Sequence, residues 1–599
     1  MAVPVPQSVS NTEGLHYKWI ALSNTTLGVL MASLNASIVL IALPAIFRGV
    51  GINPLTPGNT SFLLWILMGY MVVTSTLLVT VGRISDMLGR VKMYTLGFAI
   101  FTLGSLLLFL TPSTGSAGGL ELIGFRLVQA VGGSFLFANS AAILTDAFPP
   151  DERGLGLGIN QIAAIAGSVG GLILGGILAT FDWRLVFLVS VPFGLLGTIW
   201  ARMALRETAV IRKHQRLDVW GNITFAAGLT IVLVGLTYGL MPYGGRGMGW
   251  TNPWVDAALI GGVLLLIAFG FIEVRVPEPM FRLELFKIRP FAAGNISGLL
   301  ASIARGGLQF MLILWLQGIW LPLHGYSYAD TPLWAGIYML PMMAGFLIAG
   351  PLSGYLSDHF GARPFSTGGM IIAALTFMLL TFLPANFTYL SFAFLLFFNG
   401  VGMGLFSSPN TSSIMSSVPA EHRGVASGMR ATLQNAGMLL SMSIFFTIVI
   451  VGLSQHLPSA LTSGLSKAGL PHHYVVQVSH LPPTAALFSA FLGYNPMQHL
   501  VPAAALAHLS GAARAHLLGH GFFPGLIAPP FMEGLRDAFY VSAAMAVIAA
   551  LASLLRGGRY VHEEQELAAP TPPPFGANSA EDTDLALETL AVRREPSTR

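Results

Sequence analysis

Fourteen apolar stretches of about 20 residues or more dominate this chain. They lie at 20–46, 62–81, 93–111, 120–146, 155–179, 183–203, 218–240, 254–274, 291–321, 333–356, 366–384, 388–416, 424–452 and 536–556. A helix of that length crosses the hydrocarbon core of a bilayer. The stretches lack the short polar–apolar alternation of a membrane barrel. Only 9% of the 599 residues are charged and mean hydropathy is +0.70, whereas a soluble domain carries roughly 25% charged residues. The class is therefore an all-α integral membrane protein. With no cysteine, disulfides, thiolate metal sites and cysteine nucleophiles are excluded. A net charge of +4 gives no basis for nucleic-acid binding. The first apolar run lacks a small-residue cleavage site and is expected to remain as a span.

Basic residues in short loops set orientation. With the N-terminus in the cytoplasm, sixteen Lys and Arg positions fall on the inner side and three (Arg48, Arg184, Arg246) on the outer side. An even number of spans returns the C-terminus to the cytoplasm. The expected organisation is an N-terminal segment 1–19, a six-helix bundle 20–204, two inserted spans within 205–290, and a second six-helix bundle 291–556. The second bundle carries an extracytoplasmic loop 453–535, and a Pro-rich acidic tail 557–599 is expected to be disordered.

The two bundles are repeats. Gly82-x3-Asp86-x2-Gly89 recurs as Gly354-x3-Asp358-x2-Gly361, 272 residues later. PPDERGLGLGINQIAAIAG (149–167) recurs as PAEHRGVASGMRATLQNAG (419–437), 270 residues later. Paired bundles of this kind enclose a path near the membrane midplane and rock against each other.

In GRISDMLGRVK, Gly82 and Gly89 permit close approach and a tight turn, and Asp86 can accept from Arg83 or Arg90. This loop resembles the signature of the major facilitator superfamily, with Gly82, Asp86, Gly89 and Arg90 matching; Asp358 and Gly361 repeat it. The resemblance implies a conformational latch that breaks and re-forms. The other reading is a solvated basic loop that sets topology.

Arg126 lies inside the fourth apolar run, with Gln129 near it. A buried membrane arginine costs ~2.5–3.5 kcal/mol even on the lenient scale, so it needs a partner. In the family the matching arginine serves proton coupling or cavity electrostatics; the alternative is a structural arginine bonded to span 1 carbonyls. Span 5 carries Gly171, Gly175 and Gly176, followed by Trp183, Arg184, Pro192 and Gly194, and is similar to the family's antiporter motif. It departs at Leu172, where the motif has proline.

Fourteen spans, this motif and LNASIVLIALP together resemble the 14-span branch of drug:proton antiporters. In that branch the position of Asn35 is usually aspartate. Asparagine forms hydrogen bonds but carries no proton, so Asn35 either touches substrate or joins helices. A proton carrier would have to be another acid, with Asp146 and Glu121 the first-half candidates.

In the second half Arg305, Gln309 and Gln317 share roughly one face of span 9, and Asn399, Asn410, Arg430 and Gln434 add polar groups. With Asn160 and Gln161 of span 5, these complete the expected cavity, lined by spans 1, 4, 5, 9, 12 and 13. Arg126, Arg305 and Arg430 against no mid-membrane carboxylate favour an anionic or amphipathic substrate. The alternative is that Arg305 and Arg430 snorkel from helix ends.

The outer loop holds seven of the fourteen histidines between His472 and His520 and reads as a polar cap or docking loop, with FLGYNPM an ordered turn. No metal site, cofactor or catalytic constellation is expected, and no nucleotide-binding G-x-x-x-x-G-K-[ST] loop is present. The expectation is a monomeric plasma-membrane exporter of small amphipathic molecules, drawing on the proton gradient if coupled. An uncoupled facilitator or lipid-precursor exporter is the alternative, and a non-transporting sensor the alternative of another class.

Overall fold

The computed structural model describes residues 11–557, apart from 54, 57–58, 150–151, 208–217, 242, 246–247, 277–278, 280, 420–422, 503–505 and 507–508. The tail expected to be disordered lies outside the described residues except for Gly557. Fourteen helices are long and apolar enough to cross a bilayer. In chain order the first eight spans are His16–Val50, Ser61–Leu88, Arg90–Phe109, Gly115–Ala147, Gly156–Phe181, Leu185–Ala204, Val219–Gly239 and Pro253–Arg275. Spans 9 to 14 are Arg289–Leu323, Thr331–Ser357, Ala362–Leu380, Tyr389–Ser416, Val425–Lys467 and Phe522–Leu554.

The two sets of six pack alike. Span 1 lies on spans 4, 5 and 6, and span 3 on spans 4 and 6; span 9 lies on spans 12, 13 and 14, and span 11 on spans 12 and 14. Small residues permit these approaches. A Cβ at Gly171 would sit 2.4 Å from the Leu34 carbonyl oxygen, and one at Gly175 would sit 2.4 Å from the Ile41 side chain. Spans 7 and 8 pair with each other, and span 7 is tied to span 2 by Thr80 donating to Asn222 (2.7 Å) and by the Thr76–Thr230 hydroxyl pair (3.2 Å).

The six-helix sets also touch each other. A Cβ at Gly176 would lie 2.4 Å from Leu333 Cα, and one at Gly336 would lie 2.8 Å from the Leu172 carbonyl oxygen. Gln317 Nε2 donates to the Ile41 carbonyl at 3.3 Å, and Arg48 donates to the Tyr328 carbonyl at 3.4 Å. These hydrogen bonds between 20–204 and 291–556 lie at this Tyr328 end. Burial pushes the Tyr328 phenol up to about 12, so it stays neutral and donates to the His520 carbonyl.

The 453–535 segment corrects the sequence reading. Span 13 continues as helix to Lys467, and span 14 begins at Phe522. Between them, the helix Pro483–Leu492 is no polar cap: every residue from Thr484 to Leu492 is buried. It wedges against spans 1, 2, 9, 13 and 14. Phe491 meets Phe310 of span 9, and Phe488 stacks on Phe446 of span 13. Ten apolar residues are too short to span a bilayer, so burial at the junction of the two sets is how this run leaves water.

Candidate functional site

Arg126, only 2% exposed, points into the bundle. Its Nη1 donates to the side-chain oxygens of Asn35 and Gln129. Its guanidinium lies over the Tyr70 ring, 4.3 Å from the centroid. Asn35 donates onward to Ser190 Oγ (3.3 Å), and Gln129 to Ser105 Oγ (2.7 Å). Spans 1, 2, 3, 4 and 6 thus meet at one guanidinium. Each charge-assisted hydrogen bond contributes about 1.5–3 kcal/mol, and a desolvated cation–π contact about 2. These offset the insertion cost of ~2.5–3.5 kcal/mol without a carboxylate. The charge is solvated but not neutralised.

Two of its nitrogens remain free. Nε is enclosed without an acceptor; Nη2 makes no hydrogen bond to any described residue and is not enclosed. Arg305, well inside span 9, makes neither hydrogen bond nor ion pair with a described residue, and none of its nitrogens is enclosed. Its nearest ring is Phe346, 6.0 Å away. Arg305 therefore does not snorkel from a helix end. Gln309 likewise makes no bond to a described residue and is only part-buried.

Arg305 stands 270 residues after Asn35, the repeat offset. The packing shifts this pairing by one residue: Gly167 meets Leu30 as Gly437 meets Leu299, and Gly171 meets Ser37 as Ser441 meets Gly306, an offset of 269 along spans 1 and 9. Arg305 therefore corresponds to Ala36, the neighbour of Asn35.

Other expected site residues fall elsewhere. Gln317 sits in a π-helical turn, Leu316–Trp320, and is fully buried; its bond to Ile41 makes it part of the junction rather than of a cavity wall. Asn410 is buried toward the opposite end of the molecule. There it accepts from Arg556 and from Ser297 (3.4 Å) and donates to the Gly294 carbonyl (3.1 Å). Arg556, absent from the sequence-based site, lies just beyond span 14, and burial pushes its pKa down to about 10. Arg430 donates to Gln434 (2.8 Å) and Thr411 (3.5 Å), near the start of span 13. Asn160 donates to Ser140 (3.1 Å), while Gln161 is exposed and joins neither cluster. Asn399 bonds Thr376 within its own half.

The latch residues gather at the end remote from Tyr328. Arg90 holds Asp86 (2.8 Å), and it also holds Asp146 (2.6 Å). Glu207 accepts from the Arg90 and Val91 amides, both at 3.0 Å, and so caps span 3; sequence reading missed it. Gly89 (φ +106°) and Gly361 (φ +81°) make the turns expected of them. Gly82 has open space at its Cβ position, so no close approach occurs there. The Asp358 side chain lies outside the described residues. Asp146 is thus engaged by Arg90, and Glu121 accepts from Ser113 Oγ (2.6 Å) at the other end of span 4. Of the span 5 glycines, Gly171 and Gly175 seat span 1, and Gly176 faces span 10. The span 5 helix runs unbroken from Arg153 to Phe181 through Leu172.

The chain is similar to known proteins. The model of the Major Facilitator Superfamily matches residues 25–442. The chain is 30% identical over 433 residues to the riboflavin transporter RibZ of Clostridioides difficile (strain 630), covering 72% of this chain and 87% of that protein. It is 26% identical over 557 residues to the tetracenomycin C resistance and export protein of Streptomyces glaucescens, covering 92% and 94%. It is 27% identical over 546 residues to the multidrug resistance protein Stp of Mycobacterium tuberculosis (strain ATCC 25618 / H37Rv), covering 91% and 93%. Among solved structures, a bacterial homolog of the human lysosomal transporter Spinster superposes with a TM-score of 0.51 at 15% identity, over 90% of this chain and 97% of that one; this likeness concerns the fold. The protein is a multi-pass transporter of small molecules, not an enzyme, and it belongs to the Major Facilitator Superfamily.

Proposed function

We propose that this protein exports small amphipathic molecules across the plasma membrane by alternating access. Both termini lie in the cytoplasm, the Tyr328 end faces outward, and the chain acts as a monomer. The observation that carries this reading is Arg126. A guanidinium kept inside an apolar bundle by neutral acceptors, with one nitrogen left open, is costly unless it meets a substrate. The cross-half hydrogen bonds at the Tyr328 end support an arrangement closed toward the outside. Export is also what the names of the tetracenomycin and multidrug relatives describe for those proteins.

Energy coupling has two readings. Proton antiport needs an acid that titrates between the two faces, and Asn35 cannot supply it. Asp146 and Glu121 are engaged near opposite ends of span 4. These observations favour uncoupled export or coupling to another gradient. The test is a substrate screen in inverted vesicles, with and without a pH gradient, on wild type and Arg126→Ala. Substrate accumulation that Arg126→Ala abolishes supports the reading. Accumulation unchanged in that variant removes Arg126 from the site, and no accumulation of any compound sinks export.

A further inference from the structure

We infer that the site takes an organic anion, its acidic group held between Arg126 of the first half and Arg305 of the second, so that the substrate supplies the missing counter-charge. The inference rests on the transport reading above and names its substrate class.

Three observations carry it. Spans 1, 5, 9, 12 and 13 contain no acidic residue. The two acids of span 4, Glu121 and Asp146, are occupied by Ser113 and Arg90. Arg126 is 2% exposed, its partners Asn35, Gln129 and Tyr70 are all neutral, and Nη2 has no acceptor among the described residues. Arg305 has no polar partner among the described residues. Cations without a counter-charge inside low-dielectric walls attract a diffusing anion far more strongly than in water. Arg305 presents a planar fork suited to carboxylate, phosphate or sulfonate oxygens, and Arg126 adds its one open nitrogen, Nη2.

Asn35 is the residue that decides the sign. A carboxylate there would pair with Arg126 permanently and occupy the donors that a substrate anion needs. A carboxamide holds the guanidinium in place with its oxygen and leaves its charge available. The ligand's apolar portion finds aromatic surface at Phe346, part-buried beside Arg305. An amphipathic anion fits this environment; an inorganic anion would leave the aromatic surface unused.

The test uses two probes with the same aromatic body, anthracene carboxylate and aminomethylanthracene. Each is measured by equilibrium dialysis against the full chain in nanodiscs of neutral lipid, near neutral pH. Wild type is expected to bind the carboxylate about tenfold tighter than the ammonium, the ratio that one modest charge interaction supplies. Asn35→Asp and Arg305→Gln should each abolish that preference, and Arg305→Lys should keep part of it. A variant that is not monodisperse is replaced by Arg126→Lys, which keeps the charge but loses the open Nη2 donor and should lower carboxylate affinity severalfold. Equal affinity for the two probes, preference for the ammonium, or no measurable carboxylate binding would overturn the inference. So would a preference that survives both Asn35→Asp and Arg305→Gln. Proteoliposome uptake separates this from the transport reading. Carboxylate preference without uptake sinks transport and leaves the site, while equal uptake of both probes sinks the site and leaves transport.

Discussion

Arg126 Nη1 donates to the side-chain oxygen of Asn35, 91 positions earlier in the chain, and the same nitrogen donates to Gln129. One cation therefore orients two carboxamides, and through them Ser190 and Ser105. Arg126→Ala leaves two buried oxygens without donors, at about 1–3 kcal/mol each. It also removes the charge that the site is built around. The expected outcome is vesicle transport at background, with thermal unfolding in detergent lowered by several degrees but still cooperative. Arg126→Lys should recover much of the stability and little of the transport, because an ammonium cannot bridge both oxygens in the same plane.

At the far end of the same half, Arg90 is shared by Asp86 and Asp146, while Glu207 caps the helix that Arg90 begins. These groups are partly exposed, so each ion pair contributes at most about 1 kcal/mol, and the cap contributes a similar amount. Glu207→Ala and Arg90→Ala are expected to lower stability modestly. Arg90→Ala should slow transport more than Glu207→Ala, because it frees three spans at once. Thermal unfolding and initial transport rates on the two variants check this ordering.

How far these features were legible depends on the kind of signal. A charge in an apolar run needs a partner in any fold, so Arg126 was marked by its neighbours alone. Its partners were not, since Asn35 and Tyr70 come from spans whose pairing only packing decides. Glu207 lies 117 positions from the amide it caps, beyond the reach of any local capping pattern. The 270-residue offset was visible in the repeated motifs, yet the one-residue shift that sets Arg305 against Ala36 needed the matched glycine contacts. The histidines gave 453–535 a polar look, while the buried helix within it was a ten-residue apolar run that periodicity cannot assign. Gln317 shared a helical face with Arg305 only until the π-helical turn shifted it into the junction.

Gly176 is where span 5 crosses closest to span 10, with a Cβ position 2.4 Å from Leu333 Cα. Backbone cannot yield as a flexible side chain can, so Gly176→Leu must push the two halves apart at the Tyr328 end. Overpacking of this kind costs about 1–3 kcal/mol, borne by the state closed at that end alone. Transport should fall about tenfold, as a shift of that size predicts, with expression unchanged. Gly261→Leu in span 8 is the matched control, because nothing lies within 4 Å of its Cβ position. Equal rates in the two variants would show that this contact does not limit the cycle.

The buried helix Pro483–Leu492 must stay with one half when the Tyr328 end opens. Four of its large side chains, Leu487, Phe488, Phe491 and Leu492, are at most 1% exposed. Exposing each to water would cost about 1.5–3 kcal/mol, so releasing the helix altogether would need roughly 6–12 kcal/mol. Its ring contacts are with Phe310 and Phe446 of spans 9 and 13, which assigns it to the second half. The chain has no native cysteine, so introduced pairs report cleanly. Gly318→Cys with Phe491→Cys joins the helix to span 9, where a Cβ at Gly318 lies 3.2 Å from the Phe491 amide nitrogen. Oxidation of that pair should leave transport intact. Gly176→Cys with Leu333→Cys joins the halves themselves, and oxidation there should stop transport until a reductant is added. Loss of transport from the first pair, with both single-cysteine variants active, would show that the helix separates from span 9 in every cycle and is a gate in its own right.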